Sequence, residues 1–210
     1  MIKSTVREKP IIFSGPSILA VQQGRKTMTR RVVKLRDPSQ TYAVHDDDGW
    51  PVSADEAGHW LRDSPLHGRV GDRLWVKEAV AIREDVDPKT DLEKARRYLV
   101  YRADRDPDDD LADEWHNYGQ GWRSSIFCPR WASRLTLEIT EIRVQRLQSI
   151  SEEDALAEGC DGNCPVGYIP AHQKGPCAYH FAQLWDKVNG KKHPWESNPW
   201  VWALTFRVVP

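Results

Sequence analysis

The chain has 210 residues and a formal net charge of −1, with 29% of its residues charged. So even a balance argues against a protein that coats nucleic acid by bulk electrostatics, while leaving room for a local basic patch. No window is apolar over the length a membrane span requires, and no Gly/Ser tract, proline-rich spacer or long like-charge run divides the chain, so one elaborated domain over residues 1–210 is expected.

At the start, Met1 to Pro10 carries Lys3, Arg7, Glu8 and Lys9 with no apolar run behind it, so it reads as neither signal nor anchor and a cytoplasmic place is expected. Cys128, Cys160, Cys164 and Cys177 are then expected as thiols or metal ligands. Pro10 to Phe13 reads as a strand, Ser14 to Ser17 as a turn offering Ser17 as a helix cap, and Ile18 to Gln22 as a helix stopped by Gly24. A strand over Lys26 to Val33 follows, which puts Arg25, Lys26 and Thr29 at or just after a tight turn, where side chains converge on one pocket. Residues 36–70 are polar and turn-rich and read as an insertion, with Asp46 to Gly49 as a hairpin tip.

Gly71 to Arg73 turns into an alternating run from Leu74 to Ile82, in which Leu74, Val76, Val80 and Ile82 share a face with Glu78. A carboxylate on an apolar face must be paired, hydrogen-bonded or protonated, so Glu78 is either a structural partner or part of a site. Asp91 to Arg97 suits a helical turn and Tyr98 to Tyr101 a strand, with a second insertion near 104–124. Leu135 to Ile139 alternates but Ile142 and Val144 fall out of phase, which a bulge near Glu141 explains. Ser151 caps a short acidic helix that stops at Gly159. A Gly/Pro-rich third insertion near 160–176 leads to a helix over Cys177 to Val188, and an alternating strand from Trp200 to Val208 closes the chain. Short strands with helices at their connections predict an α+β fold, a small and mostly antiparallel β-barrel.

Three groupings carry chemistry. The first is Gly24-Arg25-Lys26-Thr27-Met28-Thr29-Arg30-Arg31, which reads either as a site or as a solvated basic face. The second is Arg130-Trp131 with Arg123 and Arg134, whose interleaved arginines and aromatics suit phosphate contacts and base stacking as well as they suit a packed loop. The ten tryptophans of the chain serve mainly to pack a thin wall, with stacking open to an exposed one. The third is Cys160, Cys164, Cys177 and His180, whose spacing suits either a closed structural zinc site or separate thiols. The remaining histidines have no ligand-like partners, and no glycine-rich nucleotide loop is present, so no cofactor is expected.

The segment Gly24 to Arg31 resembles the signature of the ASCH family, whose members have a PUA-like barrel: a glycine, a lysine two residues on, and an arginine further along a strand. Gly71-Asp72-Arg73-Leu74-Trp75-Val76 looks like the family's Gly-Asp-x-Leu-x-Val strand, and Leu135 to Gly159 like its later strand and helix; nearly the whole chain is similar to long family members found in phages and prophages. The resemblance implies amide hydrolysis on N4-acylated cytidine or a related modified nucleoside, with Lys26 as general base, Thr29 as nucleophile and Glu158 as general acid. Arg25, Arg30, Glu78, Arg130, Trp131 and Arg134 are the substrate-binding candidates, and no resident metal is implied. It also leaves two other roles open, an RNA- or DNA-binding module without catalysis and a metal-dependent nuclease using Glu78 or Glu158.

Overall fold

The computed structural model describes residues 6–33, 41–43, 52–54, 60–62, 67–82, 87–104, 122–160 and 175–210. In chain order its elements are β1 (Glu8–Ile12), α1 (Gly15–Gln22), β2 (Met28–Val32), β3 (Thr41–Ala43), β4 (Val52–Ala54), β5 (Trp60–Arg62), β6 (Arg73–Lys77) and β7 (Val80–Ile82). There follow α2 (Leu92–Arg97), β8 (Leu99–Tyr101), β9 (Thr136–Arg146), α3 (Glu152–Ala157), α4 (Pro176–Asn189) and β10 (Trp200–Val209), with short 3-10 turns between some of them. The architecture is mixed α+β, as expected. No helix among the described residues is long and apolar enough to cross a membrane.

The strands pair in the order β1-β6-β9-β10-β2. The sheet is mixed, since β1 runs parallel to β6 while β6 with β9 and β10 with β2 are antiparallel. Among the described residues this ladder ends on β1 and β2 and does not close on itself. A second sheet, β3-β4-β5, fills part of the expected insertion at 36–70. Its connecting residues, Asp46 to Gly49 among them, lie outside the described residues.

The packing separates the chain into two units, one made of Met1–Gln23, Arg73–Glu138 and Val208–Pro210, the other of Gly24–Asp72 and Ile139–Arg207. Within the first, β6 alternates cleanly, with Leu74 and Val76 buried between half-buried neighbours. The single strand expected from Leu74 to Ile82 is broken at Glu78 and Ala79 into β6 and β7. β7 buries all three of its residues, so its side chains find apolar cover on both faces rather than one. α1 begins at Gly15 with Ser14 as its cap, one turn earlier than Ser17, because the fixed φ of Pro16 suits the first helical turn. Gly24, at φ 73°, takes the left-handed position that ends it.

The second unit holds the core that positions the site. α4 buries Cys177, Ala178, Phe181, Ala182 and Trp185 at helical spacing, against Leu147, Ile150, Ala155, Trp195 and Val201. Each such aromatic contributes roughly 2–3 kcal/mol by burial. Ser151 Oγ accepts from the Asp154 amide at 3.1 Å, which starts α3, and Gly159 at φ 102° follows its end. In β9, Thr140 and Glu141 are successive exposed residues before buried Ile142, the phase slip expected there. β10 departs from its expected alternation, burying Val201, Trp202, Ala203 and Leu204 in succession because it lies inside the sheet with both faces covered.

Candidate active site

The basic segment after α1 does not form a solvated face. Lys26, Thr29 and Arg30 are only 5%, 2% and 3% exposed. The backbone sets their position: Phe206 N donates to Thr27 O at 2.9 Å, Thr27 N donates to Ala157 O at 2.8 Å, and Lys26 forms an isolated bridge with Glu158. The turn of chain that ends α3 is thereby stitched to the start of β2.

Four side chains meet on this stitch. Lys26 Nζ donates to Glu158 Oε2 at 2.7 Å and to the Glu158 carbonyl at 2.8 Å. Arg30 Nη1 donates to Glu158 Oε1 at 3.1 Å, and Arg30 Nη2 donates to Asp154 Oδ2 at 2.5 Å. Asp154 Oδ1 in turn accepts from Arg143 Nη2 at 3.0 Å. Asp154, in the first turn of α3, and Glu158, which follows its last residue, stand four residues apart, so both carboxylates face β2, and one guanidinium spans them. The ring of Phe181 lies 5.7 Å from the Arg30 guanidinium carbon.

Burial and charge pull against each other here. Loss of water pushes Lys26 below the ordinary lysine value of 10.5; the Glu158 charge and hydrogen bond oppose this, while Arg31 and Arg30 add to it. Desolvation also weighs against the charge on Arg31, with Glu158 partly offsetting it. Burial alone would raise Asp154, but the hydrogen bond from Arg143 and the charge of Arg30 outweigh it and hold the carboxyl below its usual value.

Thr29 is placed differently. Strand alternation in β2 puts Met28 and Arg30 on one face and Thr29 and Arg31 on the other. The Thr29 hydroxyl oxygen accepts from Arg31 Nη1 at 3.1 Å. A cationic donor on that oxygen favours its deprotonated form. Arg25 sits at the margin, donating from Nη1 to the Gly159 carbonyl at 2.8 Å.

Of the residues singled out in the sequence, Lys26, Thr29, Glu158, Arg25 and Arg30 belong to the second unit, where Lys26, Arg30 and Glu158 are in direct contact. Glu78, Arg130, Trp131 and Arg134 belong to the first. There Glu78, 1% exposed, accepts from Arg134 Nε and Nη2 at 2.9 Å each, while Arg134 Nη1 and Nη2 donate to Asp104. Two carboxylates hold Arg134 firmly charged despite its burial, and Tyr101 lies 4.0 Å from its guanidinium carbon. Arg130 pairs with Glu8 at 3.0 Å, and Trp131 packs on the clusters around Val80 and Ile82.

Arg31, Asp154 and Arg143 carry roles that sequence reasoning passed over. Asp154 had a usable signal, since it lies one helical turn before Glu158 on an acidic helix. Arg143 had none, because nothing in its local spacing shows that the fold brings it to Asp154. In the cysteine grouping, Cys177 is buried in the α4 core and Cys160 packs against it, whereas Cys164 lies outside the described residues. No group of three or more potential metal-binding side chains occurs among the described residues. No protein-family model, no curated protein and no solved structure matches this chain.

Proposed function

We propose that the chain is an amidohydrolase of ASCH type on a PUA-like barrel, acting on N4-acylated cytidine or a related modified nucleoside without a cofactor. The observation that carries this reading is the buried contact of 2.7 Å between Lys26 Nζ and Glu158 Oε2. An ammonium beside a carboxylate holds the same number of protons as an amine beside a carboxylic acid. One proton shift along that hydrogen bond therefore makes a base and an acid together, and the desolvation that lowers Lys26 favours the shift.

The chemistry balances on this pair. Neutral Lys26 takes the Thr29 hydroxyl proton, whose loss the Arg31 donor on Oγ1 favours, while Thr29 Oγ1 bonds to the amide carbon and the negative charge passes to the amide oxygen. Glu158 gives its proton to the departing N4 amine as the C–N bond breaks, which restores the ammonium and carboxylate. After a second proton shift, Lys26 deprotonates a water that attacks the acyl-Thr29 ester, and Glu158 returns a proton to Thr29 Oγ. The deacylated nucleoside leaves after the first half of the cycle and the carboxylic acid after the second.

The alternative roles draw less support. Both oxygens of Glu158 are engaged by cations, and both of Glu78 by Arg134, so neither carboxylate is presented to a metal. Arg130 and Arg134 spend charge on Glu8, Glu78 and Asp104, which weakens them as phosphate ligands. The deciding experiment is hydrolysis of N4-acetylcytidine by wild type, Lys26→Ala and Lys26→Arg. Both variants lose turnover, since arginine keeps the charge but does not act as a base near neutral pH. Wild-type rates in Lys26→Arg would refute the mechanism.

A further inference from the structure

The contacts around Glu158 form a chain of alternating charge: Arg143, Asp154, Arg30, Glu158, Lys26. Its middle links divide the work on one carboxylate. Arg30 takes Oε1 of Glu158, which leaves Oε2 to Lys26, and Asp154 takes the second arm of Arg30. The Arg30 and Asp154 side chains are 0% and 13% exposed, so water does not replace either partner readily. Buried carboxylate carboxyl groups rotate about their last bond unless both oxygens are tied.

We infer that Asp154 and Arg30 are positioning residues that hold the Glu158 carboxylate in register with Lys26, Arg30 by fixing which oxygen faces the lysine and Asp154 by fixing Arg30. This rests on the amidohydrolase reading for its effect on turnover, though not for its effect on Lys26 itself. Several observations support it. Asp154 and Glu158 face the same way because they lie one turn apart, and Ser151 sets the start of that turn. Arg30 is fixed further by a contact from Nη1 to Met28 Sδ at 3.4 Å and by the Phe181 ring. Its Nε is buried with no hydrogen-bond partner among the described residues, while the two outer nitrogens reach the two carboxylates. Arg143 acts at one remove, on the far oxygen of Asp154.

Among the charged groups that bear on Lys26 are Glu158, Arg31 and Arg30. Those that bear on Asp154 are Arg143 and Arg30, with Glu141 behind Arg143, and the Phe181 ring of α4 lies against Arg30. Removing the Asp154 charge leaves Arg30 pulling on Glu158 alone. The field at Lys26 becomes more positive, and the lysine releases its proton at lower pH. Removing Arg143 does the reverse.

The test pairs turnover of N4-acetylcytidine across pH with direct titration of Lys26 by heteronuclear NMR, its signal assigned by loss in Lys26→Met. Asp154→Asn is expected to lower the Lys26 midpoint by about half a pH unit or more, and Arg143→Gln to raise it by less. Asp154→Glu keeps the charge and leaves the midpoint near wild type. Arg30→Lys keeps the charge but loses the fork, so kcat falls about tenfold or more with KM little changed. Equal Lys26 midpoints in wild type, Asp154→Asn and Arg143→Gln would overturn the inference, as would full kcat in Arg30→Lys. If Asp154→Asn does not fold, the opposite shift in Arg143→Gln decides. Absence of wild-type turnover counts against the amidohydrolase reading alone, and the titration then decides the positioning claim by itself.

Discussion

Glu158→Gln isolates the charge of the central carboxylate while keeping its shape. The side chain is 7% exposed and faces two cations, Lys26 at 2.7 Å and Arg30 at 3.1 Å. A glutamine offers one oxygen, which serves one of them, and points an amide N–H at the other. Removing one partner from a buried ion pair costs roughly 3–5 kcal/mol. The Glu158 carbonyl still accepts from Lys26 Nζ at 2.8 Å, and the lysine is able to release its proton, so the low end of that range applies. A loss of about 3 kcal/mol corresponds to a fall in Tm of roughly 6–12 °C for a chain of this size.

The pH dependence gives a second check. Lys26 has a folded pKa depressed below its ordinary value of 10.5, so its contribution to stability is present above that value and is lost as pH falls through the depressed one. Glu158 opposes the depression, and its removal deepens it. The variant therefore gains more stability than wild type as pH rises from neutral towards 10.5, and the penalty shrinks. Urea unfolding followed by fluorescence of Trp185 and Trp195, both buried in the same core, reads this at several pH values. An unchanged midpoint at pH 7, or a penalty that grows with pH, would refute the reasoning.

Two more outcomes follow from the same geometry. Glu78→Gln breaks the two-armed contact with Arg134 in the first unit and lowers stability by about 2–3 kcal/mol while hydrolysis continues, measured by denaturant midpoint and steady-state rate on one preparation. Ser151→Ala removes the cap on α3 and costs about 1 kcal/mol, with a matching loss of amide protection at Asp154 under hydrogen exchange.

Local chemistry made much of the fold legible. Gly24 and Gly159 were readable as helix stops, Ser151 as a cap, and the apolar spacing of α4 as a buried face, because each is decided within one turn of chain. Where the sequence misled, a neighbouring residue or a distant one had decided the outcome. Ser17 looked like a cap until Pro16 drew the helix back to Gly15. The run from Leu74 to Ile82 kept its inward face through Glu78, yet broke there so that the carboxylate reached Arg134. The burial of four successive residues in β10 follows from its place between β9 and β2, which no period in its own residues reveals.

The site divides in the same way. The sequence by itself determined that Lys26, Thr29 and Arg30 would lie on one stretch after a glycine turn, and that Asp154 and Glu158 would share a helix face, since both are matters of spacing along a strand or a helix. Only the tertiary structure decided that these two stretches meet. The bridge between Lys26 and Glu158 joins residues 132 positions apart, and it is this pairing that takes the lysine out of water and gives it a carboxylate. Identical residues on a solvated strand would be an ordinary basic face, because desolvation, which sets the direction of the lysine's shift, is a property of what packs around a group.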